Sequence, residues 1–442
     1  METSKTIKLA IPLIIGELSQ IVLHIIDMAM VGSLSYKHLA AASLVMNVIN
    51  IPFIMGIGIA MSIAQTVSMA NGSHDGKKIS HYLFNGLILC LITSIIICIG
   101  LELGTGVLHH LGQDKEVVEL AIPFMRIMSY STIPMLLFIA LQQFTDGLEK
   151  TRTAMLISLI ALPINIFFNW LLILGNLDFP RMELLGAAWG TLMTRVIIFV
   201  LMGATILISP FYKRFIAVWK KQWVIKWETI RELLGLGIPS GLQIGMEFGA
   251  FAVSGILIGT IGAKELAAHQ IALSCVAFTF IFFTGLAEAG SIRISNAYGG
   301  MDWKKGYIIG NGTVLTALIF GGFCALVLFM IRNIIPFAFT ADQQVVAMAG
   351  PLILYAAVFQ IPDALQTITA GLLRGIKDVN IPTGLIAIAY WVIGLPSGYY
   401  LAFHLNLGPI GIWTGFLIGL SISSALLLFR FKKKMGNQHI TV

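Results

Sequence analysis

Three acidic residues, Asp27, Glu247 and Asp363, stand inside long apolar runs, where an ionised carboxylate is most costly. A helix rises about 1.5 Å per residue, which puts Glu247 roughly 20 Å beyond the start of its run and Asp363 roughly 16 Å from Arg374. Acids at such similar depth either share a proton, because like charges raise one pKa, or hold a small cation. Either outcome makes Glu247 and Asp363 a coupling-ion site. The plainer alternative is two separately hydrogen-bonded structural acids. Asp27 lies roughly 28 Å from Lys8 by the same arithmetic, and Asn169 roughly 24 Å from Thr153. Asn165 precedes Asn169 by one turn on the same face, so both amides can reach Asp27 at spacing i, i+4. Gln20, His24 and Asp27 form a polar stripe on one helix. His24 reads either as a satisfied core residue or as a proton relay beside Asp27.

Other polar groups in the runs are accessory candidates: Glu17, Thr191, Arg195 and Gln360. Arg195 is deep and needs an acidic partner that the sequence does not identify. Arg126, Arg293 and Glu288 read as snorkelling or capping groups. Pro163 and Pro362 adjoin Asn165 and Asp363, where each removes a helical hydrogen bond and can free a carbonyl. Methionines such as Met28, Met30, Met46, Met55 and Met246 read as packing, or as adaptable lining if they face a cavity.

The elements that must position these groups follow from composition. Of 442 residues 57% are hydrophobic and 11% charged, against about 25% charged in a soluble domain. Apolar runs of about 20 residues recur throughout, the mark of membrane-spanning helices. The basic residues fall in the short gaps, so the net charge of +7 reflects topology rather than nucleic-acid binding. Cys90, Cys98, Cys275 and Cys324 lie in apolar runs with no metal-ligand spacing. The first run carries no convincing cleavage site and reads as a retained helix.

Twelve spans are predicted, at 9–31, 39–69, 82–104, 121–145, 154–175, 185–209, 234–259, 266–296, 307–331, 346–373, 381–403 and 409–429. One set of alternate gaps and termini holds 20 Lys and Arg, the other five. The positive-inside rule then puts both termini in the cytoplasm. A shift of 227 lays residues 9–78 on 236–305 with 18 identities in 70. The expected architecture is an all-α polytopic membrane protein of two six-helix lobes, 1–209 and 233–442, related by a parallel repeat and joined by a basic cytoplasmic linker, 210–232. Such a repeat has its pseudo-two-fold axis along the membrane normal and suits alternating access around a central cavity. No Walker motif is present, and Gly56-Ile57-Gly58 reads as a small-residue helix contact rather than a nucleotide loop. An intramembrane enzyme would show an Asp-rich metal motif or a His-based catalytic group near a membrane face.

Several segments in order, IIDMAMVG from Ile25, PSGLQIGMEFG from Pro239, LAAHQIAL from Leu266, QIPDALQ from Gln360, LLRGIKD from Leu372 and YWVIGLPSGY from Tyr390, resemble the multidrug and toxic compound extrusion (MATE) transporters, particularly their bacterial NorM-like branch. The resemblance implies a non-enzymatic antiporter, without a cofactor, exporting amphiphilic, often cationic compounds against Na+ or H+ from a bacterial inner membrane. It implies an N-lobe cation or proton site at Asp27, Asn165 and Asn169, and a C-lobe sodium-linked site at Glu247 and Asp363. Two departures stand out: Phe359 replaces a tyrosine that can contribute to the C-lobe site, and Glu17 and Arg195 are not part of the pattern. The rival function is flipping of a lipid-linked saccharide, which would favour a basic cavity. The chain is expected to act as a monomer.

Overall fold

A computed structural model describes residues 2–110, 112–216 and 224–440, with side chains to 436. Among the described residues twelve helices are long and apolar enough to cross a membrane. The first six are α1 (Glu2–Gly32), α2 (Tyr36–Gly72), α3 (Gly76–Leu103), α4 (Lys115–Gly147), α5 (Thr151–Leu174) and α6 (Glu183–Ile208). A short α7 (Pro210–Ile216) follows, and the second set opens with α8 (Trp227–Ile261), α9 (Ala263–Gly299), α10 (Trp303–Ile331) and α11 (Gln343–Gly375). The eleventh span is interrupted. There α12 (Asn380–Ala387) passes into a π-helical segment at Ile388–Gly394, then α13 (Leu395–Tyr399), then a second π segment at Tyr400–His404. The last span is α14 (Pro409–Ile440). Pro163 and Pro362 sit inside the continuous helices α5 and α11.

The repeat is visible in how helices begin. Asp75 caps α3 by accepting the backbone N–H groups of Lys77 and Lys78, and Asp302 caps α10 by accepting that of Lys305. Asp114 and Asp342 cap α4 and α11 in the same way. A carboxylate there satisfies orphan N–H groups and meets the positive end of the helix dipole. Those N–H groups hold the Asp342 carboxyl below its ordinary pKa.

The chain divides into two compact units, an N unit of Ile15–Gly241 and a C unit of Met1–Ile14 with Leu242–Val442. The division therefore does not fall at the expected linker. The start of α1 packs with the C unit and the start of α8 with the N unit, and the breaks after Ile14 and Gly241 are separated by the repeat shift of 227. Matching close contacts explain this exchange. A Cβ on Gly58 of α2 would lie 2.3 Å from the Gly241 nitrogen, and one on Gly285 of α9 would lie 2.4 Å from Ile14 Cγ1. Position 58 maps to 285, and 14 to 241, under the same shift. The Gly56-Ile57-Gly58 triplet is thus a helix contact, Gly56 lying against Leu136. Small residues of this kind let membrane helices approach closely.

Polar pairs fix the same regions. Arg293 is 4% exposed and grips the backbone and carboxylate of Glu2 and the hydroxyl of Thr6, so it is a buried tie to α1 and does not snorkel. Arg126 pairs with Glu102 at 3.1 Å. The segment expected as a linker is tied to α3: Tyr82 donates to Glu232 at 2.8 Å, Lys226 N–H to Asn85 Oδ1 at 3.0 Å, and Ser80 to the Phe215 carbonyl. Its stretch 217–223 lies outside the described residues. All four cysteines are buried free thiols.

Valine at Gly58 or at Gly285 is expected to lower the unfolding midpoint in detergent by several degrees. Valine at Gly100, whose Cβ would meet nothing within 4 Å, is expected to change it little. A thermal-shift assay on the purified variants checks both.

Candidate ion and substrate sites

In the N unit the Asp27 carboxylate is held by neutral groups from two other helices. Asn169 Nδ2 on α5 donates to Asp27 Oδ1 at 2.5 Å, and Thr191 Oγ1 on α6 lies 3.5 Å from Oδ2. Asn169 Nδ2 also reaches Asn165 Oδ1 at 3.2 Å. The i, i+4 spacing therefore places both amides beside the acid, as the residue depths predicted. Asn169 fits only because Gly190 of α6 has no side chain, since a Cβ there would stand 2.4 Å from Asn169 Oδ1. Asn165 Nδ2 and Asn169 Oδ1 are buried without a hydrogen-bond partner among the described residues.

This group opens on a cavity of about 200 Å3. Gln20, His24 and Asp27 all line it, as the predicted stripe requires, together with Asn50 and Arg195. Met28, Met46, Met128 and Phe124 supply apolar wall. Arg195 Nη1 donates to Ser131 Oγ of α4 at 2.7 Å, and the guanidinium lies in the electrostatic field of Asp27. Asp27 is therefore the acidic neighbour that the sequence could not name. Glu17 is half-buried and does not line the cavity.

The C unit holds its acids differently. Glu247 of α8 accepts from Gln366 Nε2 at 3.1 Å and from Gln243 Nε2, one turn before it, at 3.5 Å. Asp363 is 3% exposed and lies within the field of Glu247. Gln366 follows Asp363 on α11, and its Nε2 lies 3.3 Å from the Tyr390 hydroxyl. Tyr390 sits in the first π segment, a geometry that recurs at functional sites. That segment is also pinned to α8, for Trp391 Nε1 donates to the Met246 carbonyl at 3.1 Å.

Asp363 Oδ2, Gln366 Oε1 and Gln360 Oε1 are buried acceptors without partners among the described residues. Gln360 spends its Nε2 on the Ala356 carbonyl at 3.2 Å. A hard cation takes carboxylate and carboxamide oxygens of this type. Phe359 offers none: its ring packs edge-on against Phe251 and Trp413. The phenol in this region comes from Tyr390 instead. Arg374 lies in the field of both Glu288 and Glu247.

Gln243, Gln366, Tyr390, Asn50 and Ser131 were not singled out from the sequence. Gln243 and Gln366 had a usable signal, since each falls one turn from a flagged acid on the same helix face. Tyr390, Asn50 and Ser131 reach their sites from other helices.

Comparison with known proteins supplies the family. The model described as MatE matches residues 12–171 and 239–400, and the two stretches begin at repeat-equivalent prolines, Pro12 and Pro239. A probable multidrug resistance protein NorM of Rhizobium meliloti (strain 1021) is 34% identical over 438 residues, covering 96% of this chain and 91% of the relative. The multidrug resistance protein NorM of Vibrio cholerae serotype O1 is 33% identical over 434 residues, covering 96% and 94%. At 19% identity, a solved structure of MATE in the bent conformation superposes with a TM-score of 0.91, covering 100% of this chain and 97% of that one. An outward-facing MATE family transporter of the MOP superfamily gives 0.90 at 19% identity, covering 99% and 96%. The chain belongs to the MATE family: it is a multi-pass transporter of the bacterial inner membrane and not an enzyme.

Proposed function

We propose that this protein is a cation-coupled antiporter that exports amphiphilic organic compounds, drugs among them, by alternating access between its two units. It works as a monomer with both termini in the cytoplasm, driven by Na+ or H+ moving inward. Asp27, supported by Asn165 and Asn169, carries the coupling charge in the N unit, while Glu247 and Asp363 carry it in the C unit.

One observation carries this reading. In both units a membrane-embedded acid is held by amides, with a hydroxyl added at Asp27, and among the described residues neither Asp27 nor Glu247 is locked by an opposite charge at ion-pair distance. A carboxylate so held is costly when ionised and alone. Protonation or cation binding relieves that cost, and each unit then has a lower-energy neutral form in which to move. The orphan oxygens of Asp363, Gln366 and Gln360 favour a bare cation over a proton in the C unit, because a proton satisfies one oxygen and a cation gathers several. The names of the relatives, multidrug resistance proteins, and the Met and Phe wall of the N-unit cavity support varied apolar cargo. A flippase of lipid-linked saccharides has less support, because the embedded groups are mainly acidic.

Dye efflux from everted vesicles under separately imposed Na+ and H+ gradients tests the mechanism. Asp27→Asn, Glu247→Gln and Asp363→Asn are each expected to reduce gradient-driven transport severely while leaving membrane insertion intact. Undiminished transport by all three would sink the coupling scheme. A second variant tests the support of Asp27. Gly190→Ala forces the Asn169 amide away from α6 and weakens its bond to the carboxylate. The Asn169 bond stabilises the ionised carboxylate, and losing a hydrogen bond to a charged group costs about 1.5–3 kcal/mol, which predicts a rise of roughly tenfold or more in affinity for the neutralising ion. Transport rate against ion concentration checks it; an unchanged half-saturation would show that Asn169 does not support the site.

A further inference from the structure

Arg195 is a charge in the N-unit cavity that the proposed coupling scheme does not bind to any ion. A guanidinium is permanently charged and carries five N–H donors in a planar fork. Only one donor of Arg195 is engaged among the described residues, by Ser131 Oγ at 2.7 Å. The nearby acid does not complete the set: Asp27 is bonded to Asn169 and Thr191, and Arg195 forms no ion pair among the described residues. A charge in a membrane span normally faces a partner or a water-filled cavity, and Arg195 faces the cavity.

The charges there have a fixed arrangement. Thr191, which touches Asp27, and Arg195 stand four residues apart on α6, on one face and about 6 Å along the axis. A simple organic cation drawn towards Asp27 meets the like charge of Arg195. A simple organic anion drawn to Arg195 meets Asp27. A head group with both signs satisfies both residues at once. The cavity holds about 200 Å3, less than the roughly 300–1,000 Å3 of a site enclosing a whole drug-sized ligand. It therefore suits the charged head of an amphiphile, with methionine and phenylalanine side chains against the apolar remainder.

We propose that Arg195 is a specificity-determining residue which receives the carboxylate of a zwitterionic amphiphile, the cationic nitrogen of the same molecule facing Asp27. The fork geometry accepts a carboxylate through two parallel hydrogen bonds. The inference rests on Asp27 being a cation-exchanging site of the exporter.

The test uses two probes built on one aromatic scaffold, a quaternary ammonium compound and its carboxylate-bearing derivative, with the full-length protein in proteoliposomes. For the zwitterion, Arg195→Gln is expected to raise KM by about tenfold or more, the worth of a charge-assisted hydrogen bond. For the plain cation it is expected to lower KM, since a like charge is removed. Arg195→Lys keeps the charge without the fork and should fall between wild type and Arg195→Gln for the zwitterion. Equal losses for both probes would make Arg195 a structural or coupling group and overturn the proposal. Unchanged KM for both would put Arg195 outside the substrate path and overturn it too. Asp27→Asn separates the layers: full gradient-driven transport by that variant defeats the coupling scheme, whereas the ratio of the two KM values in Arg195→Gln reports on carboxylate recognition alone.

Discussion

The cost of a charge in hydrocarbon governs this molecule, and it sorts the ionisable residues of the spans into two kinds. Some charges are cancelled by an opposite charge of the chain. Arg126 is bridged to Glu102, Arg293 is bound to Glu2 and Thr6, and Arg374 lies in the field of Glu288. Arg126 is largely exposed, whereas Arg293 and Arg374 are buried; a buried pair gains little net stability after desolvation, but breaking it strands a buried charge, so it fixes position firmly. Asp27 and Glu247 are treated differently, for neutral amides, and a threonine hydroxyl at Asp27, hold them, while Asp363 keeps a buried Oδ2 without a partner among the described residues. Under the proposed scheme these charges are the exchangeable ones. Fixed charges anchor helices and exchangeable ones suit transport.

The anchoring has a regularity that follows the internal repeat. The starts of α1 and α8 leave the unit of their own half at positions 227 residues apart, and the contacts that receive them are repeat-equivalent, Gly285 against Ile14 and Gly58 against Gly241. Each close approach needs a residue without a side chain, because lipid provides no hydrophobic drive between helices and backbone proximity must supply the packing energy. The same economy recurs in the C unit, where α14 lies against the π-broken eleventh span through Gly411, Gly415 and Gly419. A Cβ on Gly415 would lie 2.4 Å from the backbone of Gly398. That tight seam backs the segment bearing Tyr390 and Trp391, which are tied to Gln366 and to the carbonyl of Met246.

Much of this was legible in the residues, for a physical reason in each case. Hydrophobic run length gives the spans because lipid sets helix length, and every predicted span overlaps one of the twelve helices. The Asp27–Asn169 contact was legible because helical rise converts sequence distance into depth. The packing of the helix starts was not, since a lysine-rich linker carries no signal for the Gly285–Ile14 and Gly58–Gly241 contacts. The buried tie of Arg293, expected as a snorkelling or capping group, was not legible because its partners, Glu2 and Thr6, lie at the far end of the chain. Gln366 joins Glu247 and Tyr390 across three helices, a convergence without any local periodicity. Phe359 was legible as the loss of a tyrosine oxygen, but the phenol of Tyr390 required the fold.

The repeat also explains why the two sites need not do the same work. Asp27 maps onto Ser254, and Glu247 maps back onto Gln20. Ser254 donates to the Phe251 carbonyl of its own helix and so places no charge at that level, while Gln20 lines the N-unit cavity as a neutral group. The acids on equivalent helices therefore differ by seven residues in register, roughly 10 Å along the axis. The N-unit acid shares its cavity with a fixed positive charge and has two amides of α5 beside it. In the C unit Asp363 lies in the field of Glu247, and the oxygens of Asp363, Gln366 and Gln360 have no partner among the described residues. Under the proposed coupling scheme, a fixed positive charge disfavours a bare cation at Asp27 and lets a proton or a substrate nitrogen compete there, whereas unpartnered oxygens beside the C-unit acids favour a metal cation. One duplicated scaffold thus offers two chemically distinct ways to neutralise an embedded carboxylate, and the asymmetry lies in a few side chains while the helices that carry them remain alike.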